Sequence, residues 1–233
     1  MLVLFDIDGT LVRRAGPHHR QALVEAVRRV TGLDTTTDNV PVHGMLDRDI
    51  LTQMMTNAHA SSGAIQRNMP EIVEQAQRIY VRSVPDLRKR ICPGVRRLLY
   101  NLNRRRIPLI LVTGNLSRIG WKKLEQADLK HHFWFGAFAE MADDRAGLAR
   151  IAIRTARDRG WIADGAPIWL IGDAPSDIIA AKANGVKVAA VHTGVSTRDE
   201  LAVYSPDLLL EDLRGLKTGM LFEELITPPD DSP

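Results

Sequence analysis

Two aspartates stand two positions apart near the N-terminus, in the sequence FDIDGTLV at residues 5–12. Because residues 1–5 are apolar, Asp6 and Asp8 fall at the end of a predicted buried strand. Burying an unpaired carboxylate is costly, and two close carboxylates repel each other, so a cation or a shared proton is expected. The pair therefore indicates a metal site, a reaction or a simple turn.

Two further polar clusters each come directly after an apolar segment. In an open parallel sheet the carboxyl ends of the strands meet at one edge, where ligands bind. We therefore expect all three clusters to converge on one site. The later clusters are Thr113, Gly114 and Asn115 after residues 108–112, and Asp173 and Asp177 after residues 168–171.

These residue types suit the chemistry of a phosphate ester. Mg²⁺ would neutralise the carboxylates, since it binds one or two carboxylates together with substrate phosphate oxygens. Asp6 can attack phosphorus and form a covalent aspartyl phosphate. Asp8 can protonate the leaving alkoxide and then deprotonate the attacking water. The Thr113 hydroxyl and the amides of Gly114 and Asn115, at a predicted helix N-terminus, are expected to hold the phosphoryl oxygens.

A positive side chain is also needed to balance the charge of the transferring group. On the predicted helix after Asn115, Lys123 lies on the inward stripe with Ile119, whereas Lys122 lies on the polar side. Lys123 is therefore the predicted cation, and Arg145 is the alternative. The predicted phosphate-binding residues are Gly9, Thr113, Gly114, Asn115 and Lys123.

Each cluster alone has a simpler interpretation. An isolated Asp-x-Asp-Gly is usually a turn, and Asp177 could simply begin a helix. A calcium loop does not fit, because Gly9 follows Asp8 directly and no further ligand stands at the required spacing. The order of the three clusters, each behind its own apolar segment, makes the combined signal specific.

The elements that must position these residues alternate along the second part of the chain. Strands that alternate with helices predict an α/β fold, with a Rossmann-like, mainly parallel sheet and helices on both faces. The predicted strands are Leu2–Phe5, Pro108–Val112, Trp134–Phe138, Ile168–Ile171, Val186–Val191 and Leu208–Leu210. The predicted helices of this part are Val95–Asn103, Ser117–Leu129, Arg145–Arg159, Ser176–Ala183 and Leu213–Leu225.

The segment between the first strand and residue 93 shows helical spacing and no convincing strand. Its predicted helices are His18–Val30, Asp47–Ala58 and Pro70–Ser83. This pattern predicts an all-helical cap domain at residues 14–92, inserted into an α/β core made of residues 1–13 and 93–226. Residues 227–233 (TPPDDSP) are expected to form a frayed tail.

Composition limits the class of protein. The chain has 233 residues, of which 45% are hydrophobic and 25% are charged, as in ordinary globular proteins. A net charge of +3 is too small to predict nucleic-acid binding. The chain has one cysteine and no apolar run of the roughly 20 residues that a membrane helix needs. We expect a soluble cytoplasmic protein, monomeric or homodimeric, without nucleic-acid or membrane partners.

The three clusters together resemble the haloacid dehalogenase superfamily, specifically its phosphatases with an inserted helical cap, of the phosphoglycolate phosphatase and β-phosphoglucomutase type. FDIDGTLV looks like motif one, LVTGN (111–115) like motif two and IGDAPSD (171–177) like motif four. The resemblance covers residues 1 to about 191. It implies Asp6 as nucleophile, Asp8 as general acid/base and carbonyl ligand of the metal, Thr113 as phosphate binder, Asp173 as magnesium ligand and Asp177 as its second acidic partner.

One departure concerns the cation of motif three. Many capped relatives carry a lysine well after the third strand, but residues 134–153 contain none. A subgroup with T-G-N followed by K-L-E is similar to residues 113–125, which again favours Lys123, with Arg145 near the missing lysine as the alternative. Because the family's dehalogenases lack the second aspartate of motif one, Asp8 favours phosphoryl transfer.

The resulting prediction is a Mg²⁺-dependent phosphatase that hydrolyses a small phosphorylated metabolite through an aspartyl phosphate. Alternatives are a sugar phosphomutase of the same fold and a catalytically silent binding protein. HGMLDR (43–48) resembles the cap loop that faces the leaving group in relatives, so His43 and Arg48 are candidate substrate contacts. In a simpler interpretation Asp47 is a helix N-cap, Arg48 is solvated and the histidines lie on the surface. Arg13, Arg14, His18 and His19 lie near the first hinge.

Overall fold

The structure is a computed structural model that describes residues 1–13 and 16–222. Its six described strands form one parallel sheet in the order β3-β2-β1-β4-β5-β6, which confirms the predicted fold class. The strands are β1 (Leu2–Phe5), β2 (Leu109–Val112), β3 (Phe135–Ala137), β4 (Ile168–Gly172), β5 (Lys187–Val191) and β6 (Leu208–Leu210). The helices are α1 (His18–Thr31), α2 (Asp47–Asn57), α3 (Ser62–Ser83), α4 (Val95–Arg104), α5 (Ser117–Gln126), α6 (Arg145–Asp158), α7 (Pro175–Ala183) and α8 (Arg198–Ala202).

Both faces of the sheet are buried, which explains why the central strands are continuously apolar. Successive side chains of a strand point to opposite faces, so β1 contributes to two separate hydrophobic clusters. Leu2 and Leu4 pack in the cluster that contains the inner sides of α6 and α7. Val3 and Phe5 pack in the cluster that contains the inner sides of α4 and α5. Helices therefore cover both faces of the sheet.

Helices α1, α2 and α3 lie between β1 and β2 along the chain and pack on one another. We call residues 18–83 the helical insertion. As predicted, its described residues form helices and no strand. Leu23, Met54 and Ile72 are buried within it, and their hydrophobic cluster continues onto one face of the sheet. The boundaries of a separate cap domain at residues 14 and 92 stay a prediction.

One helix of the insertion begins earlier than predicted. α3 starts at Ser62, because the side chain of Ser61 accepts a hydrogen bond from the amide of Ala64 and caps the helix there. Pro70, which was expected to stand at the helix start, lies inside α3. Proline is favoured at a first helical position, but surrounding packing tolerates it here within a helix of 22 residues.

The predicted helix Leu213–Leu225 is wrong for its described part. The only helical turn there is a 3₁₀ helix at Thr218–Leu221. The side chain of Asp212 accepts a hydrogen bond from the amide of Arg214, which forms a turn at the point where the helix was expected to begin. Residues 223–225 and the predicted frayed tail at 227–233 lie outside the described residues.

The strand order brings the polar clusters together. β1 lies between β2 and β4, with Phe5 paired to Leu111 on one side and to Ile171 on the other. The residues that follow these three strands therefore meet at one edge of the sheet. In addition, none of the helices in the described part of the chain is long and apolar enough to cross a membrane.

Candidate active site

Most of the predicted site residues meet in a cleft of about 360 Å³ between the carboxyl edge of the sheet and the helical insertion. Asp6, Asp8, Thr113, Lys123 and Asp173 all line this cleft, as do Gly114, Asn115 and Arg145. Several of these polar side chains are almost fully buried, although they come from different strand ends and helices. The expectation that the three clusters share one site agrees with this geometry.

Three buried carboxylates lie at the floor of the cleft. Asp6, Asp173 and Asp177 each place a carboxylate oxygen within 4.8 Å of the others. Asp6 Oδ1 and Asp173 Oδ2 are buried and receive no hydrogen bond. Burial, with the negative charges of Asp6 and Asp177, raises the pKa of Asp173 well above its usual value. Mutually repelling carboxylate oxygens that accept no hydrogen bond fit a hard divalent cation such as Mg²⁺.

Asp177 supports this group from behind. Its Oδ2 accepts hydrogen bonds from the amides of Asp173 at 3.1 Å and Ala174 at 3.0 Å, and its Oδ1 accepts one from Arg145 Nη1 at 2.7 Å. Burial raises the pKa of Asp177 to about 6, although the Arg145 guanidinium opposes the rise. Because both of its oxygens are engaged, Asp177 fits the role of an acidic partner that orients the Asp173 loop.

The turn after β1 allows Asp173 to approach closely. Gly9 has φ +87°, and a Cβ there would lie 2.2 Å from Asp173 Oδ2. The Thr10 hydroxyl donates to Asp173 Oδ1 at 3.1 Å. On the other side, the Thr193 hydroxyl donates to the carbonyl of Gly9. Glycine is therefore required at position 9 for the assembly of the carboxylates.

Asp8 belongs to a second charged group at the other side of the cleft. Lys123 Nζ, whose side chain is 1% exposed, lies 2.5 Å from Asp8 Oδ2 and 2.6 Å from Asn115 Oδ1. The Asn115 amide group donates to Asp8 Oδ2 and to the Thr113 hydroxyl, each at 2.8 Å. Burial raises the pKa of Asp8, but the charge of Lys123 and the hydrogen bonds from Lys123 and Asn115 oppose the rise, and the pKa lies below its usual value, so Asp8 is ionised.

Arg145 is the cation nearest to the predicted nucleophile. It is buried, and its Nη1 lies 3.0 Å from Asp6 Oδ1 as well as 2.7 Å from Asp177 Oδ1. Burial lowers its pKa, but Asp177 and Asp6 raise it above the usual value, so the guanidinium stays charged. The sequence offered Lys123 or Arg145 as the cation of the site. The structure places both in the cleft, with Lys123 beside Asp8 and Arg145 beside Asp6.

Gly114 and Asn115, whose amides are predicted to hold phosphoryl oxygens, line the cleft just before α5, and that role stays a prediction. α5 begins at Ser117, so the amides of Gly114 and Asn115 precede the helix. The first amides of α5 are already bound by protein side chains, and Gly114 is packed under the insertion, where a Cβ would lie 2.3 Å from Met45 O. The amides of Leu116, Ser117 and Arg118 donate to Asp47 at 2.8 Å, to Glu140 at 2.9 Å and to Gln77 at 2.8 Å.

The two candidate substrate contacts of the insertion have different positions. His43 lines the cleft, with Nε2 2.9 Å from Ser196 Oγ and 3.9 Å from Asp173 Oδ2. Arg48 lines a separate groove between α2 and α3, which contradicts its predicted place at the substrate. Successive residues of a helix point about 100° apart, so Arg48 faces away when Asp47 faces the cleft.

Sequence reasoning missed several residues at this site. Thr193 follows β5 at the same sheet edge, so the rule that found the other clusters would also have found it. Arg20 lines the cleft from α1 and is exposed. Other basic residues lie near it in the sequence, and no pattern distinguished Arg20 from them. The contacts of Asp47 and Gln77 with α5 depend on how the insertion packs, which no local pattern reports.

The sequence profile of the haloacid dehalogenase-like hydrolase family matches residues 1–185. The chain therefore belongs to this family, as its motifs predicted. Its curated relatives are also consistent with the predicted phosphatase type. A phosphoglycolate phosphatase of Pseudomonas savastanoi pv. phaseolicola is 28% identical, in an alignment that covers 100% of this chain and 85% of the relative.

Solved structures share the fold. β-Phosphoglucomutase of Clostridium difficile superposes with a TM-score of 0.71 at 18% identity, covering 97% of this chain and 98% of that one. A mutant of CbbY from Rhodobacter sphaeroides, in complex with xylulose-(1,5)bisphosphate, superposes with a TM-score of 0.68 at 18% identity, covering 92% and 95%. At such identity these structures bear on the fold alone. Together, the family and the relatives identify the chain as an enzyme of the phosphatase type.

The crowding of carboxylates makes metal-free stability depend on Asp173. Because the folded pKa of Asp173 lies above its unfolded value, the folded state binds more protons between these two values, and the free energy of unfolding falls as the pH rises through this range. We expect Asp173→Asn to be more stable than wild type at neutral pH without metal, with the difference shrinking towards pH 4. Denaturant unfolding across this pH range measures it.

In Mg²⁺ we expect wild type to be more stable than Asp173→Asn. The ion should stabilise wild type more, because it has one ligand fewer in the variant. Asp164→Asn is the matched control, since Asp164 is exposed and lies away from the cleft. A stability difference between Asp173→Asn and wild type that stays constant with pH would contradict the interpretation.

Proposed function

We propose that the protein is a Mg²⁺-dependent phosphatase that hydrolyses a small phosphorylated metabolite through an aspartyl phosphate on Asp6. The observation that carries the proposal is the placement of Asp6. Its buried Oδ1 forms an ion pair with the Arg145 guanidinium at 3.0 Å and stands beside Asp173 at the floor of the cleft. A carboxylate held in this way is available for attack on a phosphoryl group.

In the first step, the Asp6 carboxylate attacks phosphorus and the bond from phosphorus to the leaving oxygen breaks. Asp8 gives its proton to that oxygen, and the alcohol departs. Asp8 is ionised before the substrate binds. It would take up a proton from solvent as the substrate binds, because the negative charge of the arriving phosphate raises its pKa. Arg145, Lys123 and the Thr113 hydroxyl stabilise the charge on the phosphoryl oxygens.

In the second step, Asp8 acts as a base. It takes a proton from a water molecule, whose oxygen attacks the phosphorus of the aspartyl phosphate. The bond between Asp6 and phosphorus breaks, inorganic phosphate forms and the Asp6 carboxylate is restored. The contacts of Asp8 with Lys123 and Asn115 keep its carboxylate at the cleft for both proton transfers.

The side chains of Asp6 and Asp173 and the backbone carbonyl of Asp8 would hold the Mg²⁺. When bound, the ion supplies positive charge that offsets the repulsion between these carboxylates and the substrate phosphate. Asp177 would not bind the ion directly. It orients the loop of Asp173 and the guanidinium of Arg145 by hydrogen bonds.

The size and charge of the cleft favour a small anionic substrate. A volume of about 360 Å³ is at the low end of the range for ligand sites. Arg20 adds an exposed cation on the insertion side, where the leaving group would lie. The curated relatives at 25–28% identity are phosphoglycolate phosphatases, so we propose phosphoglycolate or a similarly small phosphorylated carboxylate as substrate.

Asp6→Asn should abolish the activity, because an amide cannot attack phosphorus as a carboxylate does. We expect p-nitrophenyl phosphate hydrolysis by wild type in Mg²⁺, loss in EDTA, and a decrease in kcat of at least about 1,000-fold in Asp6→Asn. Acid quenching of labelled substrate should trap phosphate on wild type and none on the variant. Equal rates for the two proteins would exclude the mechanism.

The same assay separates hydrolysis from phosphoryl transfer between sugar positions. A phosphatase releases inorganic phosphate from each turnover, whereas a phosphomutase converts a sugar phosphate into its isomer with little release. Product analysis with β-glucose 1-phosphate and with phosphoglycolate distinguishes the two. Isomer formation without phosphate release would favour the mutase.

Arg20→Ala should weaken the binding of a carboxylate-bearing substrate. Loss of a charged contact predicts a rise in KM for phosphoglycolate of about 10-fold, with little change for p-nitrophenyl phosphate, which has no carboxylate. Arg48→Ala is the matched control, because Arg48 lies outside the cleft. The substrate assignment fails if Arg20→Ala raises KM equally for both substrates, or if Arg48→Ala matches it.

A further inference from the structure

A continuous line of polar contacts joins the helical insertion to Asp8. Asp47 Oδ2 on α2 lies 3.0 Å from His19 Nε2 on α1. His19 Nδ1 in turn lies 3.2 Å from Lys123 Nζ on α5, and Lys123 Nζ lies 2.5 Å from Asp8 Oδ2. Two residues of the insertion are therefore linked through one core lysine to the predicted general acid/base.

The partners of His19 determine where its ring proton must be. A lysine ammonium has three donors and no acceptor, so Nδ1 of His19 has to accept from Lys123. A carboxylate only accepts, so Nε2 has to carry the hydrogen that is donated to Asp47. The contacts therefore define a neutral imidazole in the Nε2–H tautomer.

The surroundings hold this arrangement in place. The Asp47 side chain is 3% exposed, and its Oδ2 also accepts from the amide of Leu116 at 2.8 Å. The amide of Asp47 donates to Gly114 O at 2.8 Å, which fixes the start of α2 against the predicted phosphate-binding loop. The buried ring of Tyr80 meets the His19 ring edge to face, with centroids 5.6 Å apart, and lies 5.9 Å from Lys123 Nζ.

We infer that Asp47 and His19 are positioning residues for Lys123, and that the packed insertion orients Asp8 through this lysine. Asp8, Asn115 and His19 each take one contact with the Lys123 ammonium. If His19 offers no acceptor, one N–H of the Lys123 ammonium loses its hydrogen-bond partner. Because the Lys123 side chain is only 1% exposed, water does not replace that partner, and the lysine shifts relative to Asp8. The nucleophile Asp6 makes its contacts within the core and is not affected.

This inference rests on the proposed function, in which Asp8 protonates the leaving group. It predicts that a misplaced Lys123 impairs leaving groups that need a proton more than those that do not. The p-nitrophenolate of p-nitrophenyl phosphate departs without protonation, whereas the alkoxide of phosphoglycolate requires it. The ratio of kcat/KM for these two substrates reports on the first step alone, because the leaving group departs as the aspartyl phosphate forms.

Two variants test the two ring nitrogens of His19 separately, since each keeps a polar atom at the place of only one of them. In His19→Asn, the amide oxygen occupies the place of Nδ1 and can accept from Lys123. In His19→Gln, the amide nitrogen occupies the place of Nε2 and can donate to Asp47, but no acceptor faces Lys123. His18→Gln is the matched control, because His18 precedes His19 on α1 and does not line the cleft.

We expect His19→Gln to lower kcat/KM for phosphoglycolate by at least about 10-fold and for p-nitrophenyl phosphate by less than about 3-fold. His19→Asn should recover most of the phosphoglycolate activity, and His18→Gln should resemble wild type. An equal loss on both substrates in His19→Gln, or a His19→Asn as impaired as His19→Gln, would overturn the inference.

The tautomer provides a readout that needs no activity. Imidazole nitrogen chemical shifts of labelled wild type near neutral pH, assigned by the signals that vanish in His19→Asn, should show a protonated Nε2 and a bare Nδ1. A doubly protonated ring or an Nδ1–H tautomer would refute the arrangement. If wild type hydrolyses neither phosphate ester, the proposed function fails, and this measurement still decides whether His19 accepts from Lys123.

Discussion

The crowding of three buried carboxylates at one sheet edge is the constraint on which the rest of the site depends. Asp6, Asp173 and Asp177 come within 4.8 Å of one another in a place that water hardly reaches. Two backbone amides and Arg145 offset the charge of Asp177, and the Thr10 hydroxyl offsets part of that of Asp173. One oxygen of Asp6 and one of Asp173 still accept no hydrogen bond. A cation bound at these two oxygens would offset the remaining negative charge.

The cleft contains two charged groups with different origins. The group around Asp6 is held by the core alone, through Arg145 at the start of α6 and Asp177 on α7. The group around Asp8 draws on both parts of the chain, since Lys123 comes from the core and His19 from the insertion. The ion pair of the predicted nucleophile therefore comes from the core, whereas the contacts around the predicted general acid/base include a residue of the insertion.

Sequence patterns predict whatever depends on local periodicity and on the parallel topology. Asp6, Thr113 and Asp173 could be predicted to lie together because each follows a strand. Helical spacing alone predicted that Lys123 lies on the inward face of α5. Arg48 was misplaced because the face that a helix presents to a cleft depends on its docking, and Asp47 occupies that face. For the same reason, no pattern could show that side chains from the insertion bind the first amides of α5.

The balance of charge explains why Lys123 and Arg145 are both needed. Five carboxylates surround the cleft with these two cations and the exposed Arg20, which leaves two negative charges when all are ionised. The carboxylates belong to Asp6, Asp8, Asp47, Asp173 and Asp177. Burial and the neighbouring carboxylates of Asp6 and Asp177 raise the pKa of Asp173 well above its usual value, which favours its neutral form. A phosphate dianion would add two more negative charges, and a divalent cation at the oxygens of Asp6 and Asp173 that accept no hydrogen bond would offset them.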